Sequence, residues 1–238
     1  ATVTISTTGL LVKWNKIDGA DSYIVYRSEK TGSKWTKWTV LGTTGEAKNS
    51  WLDDKIVSGV TYRYAIRAVD NKIKSGYVAT DGMIFLEQPT LTISNTAVGI
   101  TGTWEKVDGA KGYTIYRSEL VNGKWTKWVN LGTTKETAKS FTDKTVKSGN
   151  QYKYTLRAVN GKVKSTYKDS NILMYIAAPV LKIKNEANAV SGSWNQVKGA
   201  KGYIIYRSEL KDGKWTKWVN LGTTKETAKT FTDKTVKS

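Results

Sequence analysis

A tryptophan and a lysine recur two positions apart in three places, at intervals of 90 residues along the chain. The pairs are Trp35 and Lys37, Trp125 and Lys127, and Trp215 and Lys217. An exposed indole ring can stack on a sugar, a base or a partner side chain, and a neighbouring ammonium group can bind an anion. Three weak sites of this kind gain avidity when the ligand is itself repetitive. We therefore take these six residues as candidate ligand-binding residues, against the alternative that each ring only covers a strand edge.

The residue types that many enzymes use are missing. The chain of 238 residues contains neither cysteine nor histidine, which excludes cysteine nucleophiles, Cys/His zinc sites and Ser-His-Asp triads. Phosphate-binding loops, G-x-S-x-G nucleophile elbows and calcium-binding loops are also absent. The adjacent carboxylates of Asp53 and Asp54 resemble a hydrolase dyad, but the other copies do not repeat the pair, and we interpret it as a turn. We predict a protein that is not an enzyme and has no cofactor and no metal site.

The charge of the chain is strongly positive. It has 38 basic and 20 acidic residues, a formal net charge of +18. Such a field favours anionic surfaces, for example acidic glycans or wall polymers, although scattered lysines also keep sheet-rich proteins from aggregating. Neither a basic helix nor an aromatic-rich groove is evident, so we expect no nucleic-acid binding. No apolar run approaches the roughly 20 residues of a membrane helix, so we expect no membrane insertion.

Short strands must position the candidate residues. Runs rich in Val, Ile, Thr, Tyr and Trp alternate with Gly, Asn, Asp and Ser clusters, a pattern typical of an all-β sandwich or barrel. The middle copy has seven such runs: PTLTISN, GITGTWEKV, GYTIYRSEL, KWTKWVNLG, SFTDKTV, YKYTLRAVN and KVKSTY. In the sixth run, alternation places Tyr152, Tyr154, Leu156 and Ala158 on one face, which we expect to line the core.

These runs follow the strand order of a known family. The matching features are Trp14, Trp104 and Trp194 on the second strand, the turns DGA, DGA and KGA, the motifs YIVYRS, YTIYRS and YIIYRS, and the segments IVSGVTYRYAIRAV and VKSGNQYKYTLRAV. In these features the chain resembles the fibronectin type III domains found in secreted and wall-attached proteins of Gram-positive bacteria. The resemblance implies that Tyr62 and Tyr152 are tyrosine-corner residues, whose hydroxyls bond to upstream backbone. It also implies buried aliphatic side chains at Ile56 and Val146.

We predict tandem seven-stranded fibronectin type III-like β-sandwiches, of which the third is truncated. The ranges are 1–87, 88–177 and the partial repeat 178–238, called repeats 1, 2 and 3 below. Repeat 3 lacks the last two strands and the tyrosine corner, so either further native sequence or a partner supplying strands would complete it. The short linkers around Pro89 and Pro179 predict semi-rigid joints, because proline fixes φ.

The two tryptophans of each strip are expected to play different roles. A regular fourth strand would project Trp35 and Trp38 to opposite sides of the sheet. Related domains have an aliphatic core residue at the second position, which implies that Trp38, Trp128 and Trp218 pack in the core. Trp35 and its equivalents are then the more exposed candidates for binding.

Repetition, the missing catalytic residue types and the resemblance together predict non-catalytic adhesion or spacer repeats. We expect them to belong to a large bacterial cell-surface or secreted protein, with an extracellular location. The expected partner is a host or cell-wall macromolecule, either a glycan, an anionic wall polymer or a protein such as an immunoglobulin. The alternative is an accessory region of a secreted glycoside hydrolase or cell-wall hydrolase whose catalytic domain lies outside this segment.

Overall fold

The computed structural model describes residues 1–236, and within that range all regular structure is β-strand. The strands of repeat 1 are β1 (Thr2–Ile5), β2 (Leu10–Lys13), β3 (Ser22–Thr31), β4 (Lys34–Trp35), β5 (Thr39–Gly45), β6 (Ser50–Asp53), β7 (Thr61–Asp70), β8 (Ile73–Lys74) and β9 (Met83–Ile84). Those of repeat 2 are β10 (Thr92–Thr96), β11 (Gly99–Thr103), β12 (Gly112–Val121), β13 (Lys124–Trp125), β14 (Val129–Lys135), β15 (Ser140–Asp143), β16 (Gln151–Asn160), β17 (Val163–Lys164) and β18 (Leu173–Met174). Those of repeat 3 are β19 (Lys182–Glu186), β20 (Ala189–Ser193), β21 (Gly202–Arg207), β22 (Leu210–Lys211), β23 (Lys214–Trp215), β24 (Val219–Lys225) and β25 (Thr230–Asp233).

Each complete repeat is a sandwich of two antiparallel sheets. In repeat 1 one sheet has the order β1-β2-β6, and in the other the long central strands β3 and β7 pair with each other. Strands β4 and β5 pair with β3, while β8 and β9 are two short pieces of one irregular last strand that pairs with β7. Repeat 2 has the same pairings. Three strands against four is a fibronectin type III-like arrangement, and the all-β prediction is confirmed. The limits of the repeats stay a prediction.

The core of each complete repeat lies between its two sheets. In repeat 2, Tyr152, Tyr154, Leu156 and Ala158 are all buried in one cluster with Trp104, as the alternation predicts. Burying side chains of this size from both sheets supplies the main driving force for folding.

The tyrosine corners are confirmed. The Val57 N–H donates to the Tyr62 hydroxyl at 3.0 Å, and the Lys147 N–H donates to the Tyr152 hydroxyl at 2.9 Å. Val146 is buried, whereas Ile56 is half-buried and packs against the core of repeat 1.

A buried ion pair links the two sheets of repeat 1. Asp53, at the end of β6, is 3% exposed, and both of its carboxylate oxygens accept hydrogen bonds from Arg27 at 3.0 and 3.1 Å. The Tyr64 hydroxyl donates to the same carboxylate at 2.9 Å. The interpretation of Asp53 as a turn residue is therefore wrong, because it ends a strand and its charge is neutralised inside the sandwich. Asp143 and Asp233 form the equivalent pairs with Arg117 and Arg207.

Within residues 1–236, repeat 3 has one sheet edge without a neighbouring strand. In the described part of the chain β21 pairs only with β24, whereas β3 and β12 have a long neighbour on their other edge. An apolar cleft of about 430 Å³ opens beside it, lined by residues that include Leu181, Trp194, Tyr203 and Phe231. The cleft lies where the side chains of β16 fill the core of repeat 2.

Candidate ligand-binding surface

The tryptophan strip is a short hairpin followed by a break, so it does not form the regular strand that would project its two tryptophans to opposite sides of the sheet. Strand β4 ends at Trp35, residues 36–38 lie outside any strand, and β5 begins at Thr39. Thr36 holds the break in place, since its N–H donates to the Glu29 carbonyl at 2.9 Å and its hydroxyl accepts the Glu29 N–H at 3.0 Å. The Ser28 hydroxyl also donates to the Thr36 carbonyl at 2.8 Å. Repeats 2 and 3 make the same three bonds.

Because of this break, both tryptophans of repeat 1 meet the same cation. The Arg63 guanidinium lies 4.4 Å from the ring centroid of Trp35 and 4.9 Å from that of Trp38. These distances are within the cation–π range. Trp38 also makes an edge contact with Tyr77, with centroids 5.6 Å apart. The prediction that Trp38 packs in the core is wrong, because it lies on the outer face of the larger sheet.

Repeat 2 builds the same arrangement with a lysine. The Lys153 ammonium lies 5.1 Å from the ring centroids of both Trp125 and Trp128, and it also contacts the Asp169 carboxylate at 2.7 Å. The prediction of a core position is therefore wrong for Trp128 as well. In both complete repeats a cation on a long central strand holds the two rings against the sheet. This strand is β7 in repeat 1 and β16 in repeat 2.

Repeat 3 shows the same hairpin, but no cation contacts its tryptophan rings among the residues that the structure describes. Trp215 and Trp218 are each 72% exposed, so the core prediction is also wrong for Trp218. The described residues of repeat 3 include no strand equivalent to β7 or β16, which carry the cation in the other two repeats.

The indole rings of the complete repeats have little free surface for stacking. Trp35 is half-buried beneath Arg63, and its ring edge lies so close to Gly82 that a Cβ added there would come within 2.9 Å of the ring. Trp125 is half-buried as well. These rings have the geometry of positioning residues that hold the hairpin against the sheet.

Two exposed lysines lie next to the tryptophans of each hairpin in the sequence. They are Lys34, Lys37, Lys124, Lys127, Lys214 and Lys217. Among residues 1–236, none of these six ammonium groups has a carboxylate within 4.0 Å, although six other lysines of the chain do. Within residues 1–236, each hairpin tip therefore presents two positive charges that no carboxylate neutralises, and in repeats 1 and 2 a cation–π contact holds the hairpin beneath them. We call these pairs the lysine tips. In the same range, no three acidic side chains cluster closely enough to hold a metal ion.

Sequence reasoning missed Arg63 and Lys153. Both alternate with buried tyrosines, so period two places them on the outer face. This alternation does not show which side chains they contact. Arg63 and Trp35 are 28 positions apart in the chain, and only the pairing of β7 with β3 brings them together.

The comparisons with known proteins concern the fold. No protein-family model matches the chain, and no curated protein is similar to it. Among solved structures, it is similar to a two-domain fibronectin type III segment of chicken tenascin, with 17% identity over 73% of this chain and 97% of that one and a TM-score of 0.40. It is also similar to the FN1–FN3 domains of chicken CNTN1, with 16% identity over 99% of this chain and 87% of that one and a TM-score of 0.32. Both are tandem fibronectin type III segments.

Proposed function

We propose that this chain is a non-catalytic adhesion and spacer segment of a bacterial cell-surface or secreted protein, and that its lysine tips bind an anionic polymer. The bacterial and extracellular setting comes from the resemblance described above. The observation that supports binding is the repetition of exposed lysines, without a carboxylate partner among residues 1–236, on a hairpin that an aromatic–cation contact holds in place in the two complete repeats. The polymer would be an acidic glycan of a host or an anionic polymer of the cell wall.

A single lysine tip would bind weakly. An exposed ion pair contributes roughly 0–1 kcal/mol and is screened over about 8 Å at physiological salt. Several tips on one chain raise the overall affinity when the ligand repeats its charge, because the second contact is intramolecular. The clamp matters for the same reason, since a hairpin that is already ordered loses less entropy on binding.

The hypothesis predicts a specific pattern of charge dependence. Changing all six lysines of the tips to glutamine should reduce binding to a sulfated glycan or a phosphate-rich wall polymer by at least about tenfold at 0.15 M salt. A control variant removes the same charge elsewhere, through glutamine at six other exposed lysines: Lys16, Lys72, Lys74, Lys106, Lys162 and Lys164. Four of these lie on β8, β17 and their turns. These strands pair with the end of β7 or β16 that lies beside the start of β3 or β12, which is the opposite end of the sheet from the tips.

Binding can be measured on immobilised polymers, with a neutral glycan and immunoglobulin as further ligands. Equal loss in the two six-lysine variants would show that net charge acts alone and would remove the tips as a site. Binding to immunoglobulin or to the neutral glycan that neither variant weakens would contradict the choice of an anionic polymer.

We also propose that an extended strand along the open edge of β21 completes repeat 3, supplied either by further sequence of the same polypeptide or by a partner. The complete repeats indicate its chemistry. In repeat 2 the partner strand β16 places Tyr154 opposite Arg117, and its hydroxyl donates to Asp143 at 3.0 Å. A strand with alternating tyrosines would fill the cleft and reach Asp233 in the same way.

A further inference from the structure

The connection between successive repeats is built twice with the same bonds. The Ser58 hydroxyl donates to the Asp108 carbonyl in the next repeat at 2.8 Å and accepts the Glu87 N–H of the linker at 3.0 Å. At the second joint the Ser148 hydroxyl donates to the Lys198 carbonyl at 2.8 Å and accepts the Ala177 N–H at 3.0 Å. One hydroxyl at each joint therefore ties together the two repeats and their linker.

A pair of glycines makes the closest contact at each joint. Gly59 follows Ser58, and Gly109 lies in the facing turn of the next repeat. A Cβ added to Gly109 would overlap Gly59, and a Cβ added to Gly59 would lie 3.0 Å from the Gly109 nitrogen. At the second joint, a Cβ on Gly199 would lie 2.7 Å from the Gly149 Cα. Two backbones approach each other at both joints as only glycine permits.

The linker also packs into both neighbours of the first joint. Phe85 is buried in the core of repeat 1, while Leu86 is fully buried among the core residues of repeat 2. The Gly59 N–H donates to the Phe85 carbonyl at 2.8 Å, which fixes this segment against the same corner. A linker with consecutive side chains in two cores has little freedom to bend.

The receiving turn has its shape without a neighbour. In repeat 1 the equivalent turn of residues 17–20 is closed by the Ala20 N–H donating to the Ile17 carbonyl, and Gly19 has a φ of +76° against +81° at Gly109. Among the described residues, nothing lies within 4 Å of a Cβ added to Gly19. The turn is therefore preformed by its own repeat and does not need the contact to adopt its conformation.

We propose that this turn is a preformed receptor for the Ser–Gly corner of an adjacent repeat, and that the interlock holds neighbouring repeats in one fixed orientation. The inference is independent of the lysine tips, because it concerns how the repeats are spaced and not what they bind. It commits to one partner, a second repeat of this type that presents a serine followed by a glycine with positive φ.

Gly19 provides a matched control for the test. Gly109→Ala and Gly19→Ala place the same side chain at the same backbone conformation in the same turn, but only Gly109 faces another repeat. The chain has no cysteine, so two spin labels can be attached specifically through Lys48→Cys in repeat 1 and Lys162→Cys in repeat 2, both exposed positions. Electron-spin distance measurements then report the orientation of the two repeats.

The distance distribution should be narrow in the parent chain and in Gly19→Ala, and at least twofold broader or shifted in Gly109→Ala. Ser58→Ala, which removes only the bridging hydroxyl, should also broaden it. This variant covers the case in which Gly109→Ala fails to fold. A broad distribution in the parent chain would overturn the proposal. So would distributions for Gly109→Ala and Ser58→Ala that match that of Gly19→Ala.

Discussion

The contribution of the buried Asp53 carboxylate to the stability of repeat 1 can be tested against its neighbour in sequence, Asp54, whose carboxylate is exposed. Asp53→Asn removes the charge that Arg27 neutralises and leaves an amide that accepts through only one oxygen. The Asp53 carboxylate accepts hydrogen bonds from Arg27 at both oxygens and from the Tyr64 hydroxyl. It also accepts one from the Lys55 N–H at 3.3 Å. Asp54→Asn changes the same charge at an exposed side chain.

The size of the effect follows from the burial of the pair. Removing one member of a buried ion pair costs roughly 3–5 kcal/mol. Arg27 is 20% exposed and also donates to the Lys55 carbonyl at 2.9 Å, so water and that carbonyl compensate part of the loss. We therefore expect Asp53→Asn to lower the free energy of unfolding of repeat 1 by about 3 kcal/mol, at the lower end of that range. Asp54→Asn should change it by less than about 0.5 kcal/mol.

Amide hydrogen exchange in β7 measures the difference. Where these amides exchange through unfolding of repeat 1, a loss of about 3 kcal/mol speeds exchange roughly a hundredfold. For Asp54→Asn the rates should stay within about threefold. Equal exchange rates in the two variants would refute the view that the Asp53 carboxylate, and not merely a negative charge in this segment, stabilises the sandwich.

Two further predictions concern repeats 2 and 3. Burial would raise the pKa of Asp143, but hydrogen bonds from Thr145 and Arg117 outweigh it, so this pKa lies below its ordinary value. A carboxyl group whose pKa is lowered by folding stabilises the fold at pH values above its pKa in the unfolded chain. The denaturant concentration at the midpoint of unfolding of repeat 2 should therefore be nearly constant around neutral pH and decrease below about pH 4. An equally steep fall in Asp143→Asn would contradict this assignment. A peptide with the sequence of residues 148–177 should bind repeat 3 and shield Trp215 from a fluorescence quencher, whereas a scrambled peptide should not; equal quenching with both would reject the open edge of β21 as its site.

The strand pattern could be predicted from sequence because it depends on alternation and turn residues within each run. The same holds for the tyrosine corners, since Tyr62 and Tyr152 occur in a motif whose hydroxyl bond is local, five residues back along the chain. The environment of the tryptophans could not be predicted in this way. It depends on Arg63 and Lys153, which come from a distant strand, and on a break held by Thr36 that the β-rich composition of the run does not reveal.

The segment Gly123–Lys139 separates local from tertiary effects, because the same 17 residues recur at Gly213–Lys229. The two copies form the same short strands, so local sequence is sufficient for the hairpin and its break. Their tryptophans nevertheless differ, half-buried in repeat 2 and exposed in repeat 3. Local sequence therefore decides the backbone here, and the neighbouring strand decides which side chains are exposed.

Because the exposure of the tryptophans depends on the neighbouring strand, the open edge of repeat 3 also affects the proposed binding site. In repeat 2 the hairpin of β12 and β13 is held by Lys153 on β16, whereas β22 and β23 form a separate two-stranded sheet. The hairpin of repeat 3 keeps its three hydrogen bonds to Thr216, but among the described residues no cation contacts its two indole rings, so we expect its lysine tip to be held less firmly than the other two. A strand that pairs with β21 and carries a cation at the position of Lys153 would clamp the exposed indoles. It would thereby order the third lysine tip and strengthen binding of an anionic polymer without touching that polymer itself.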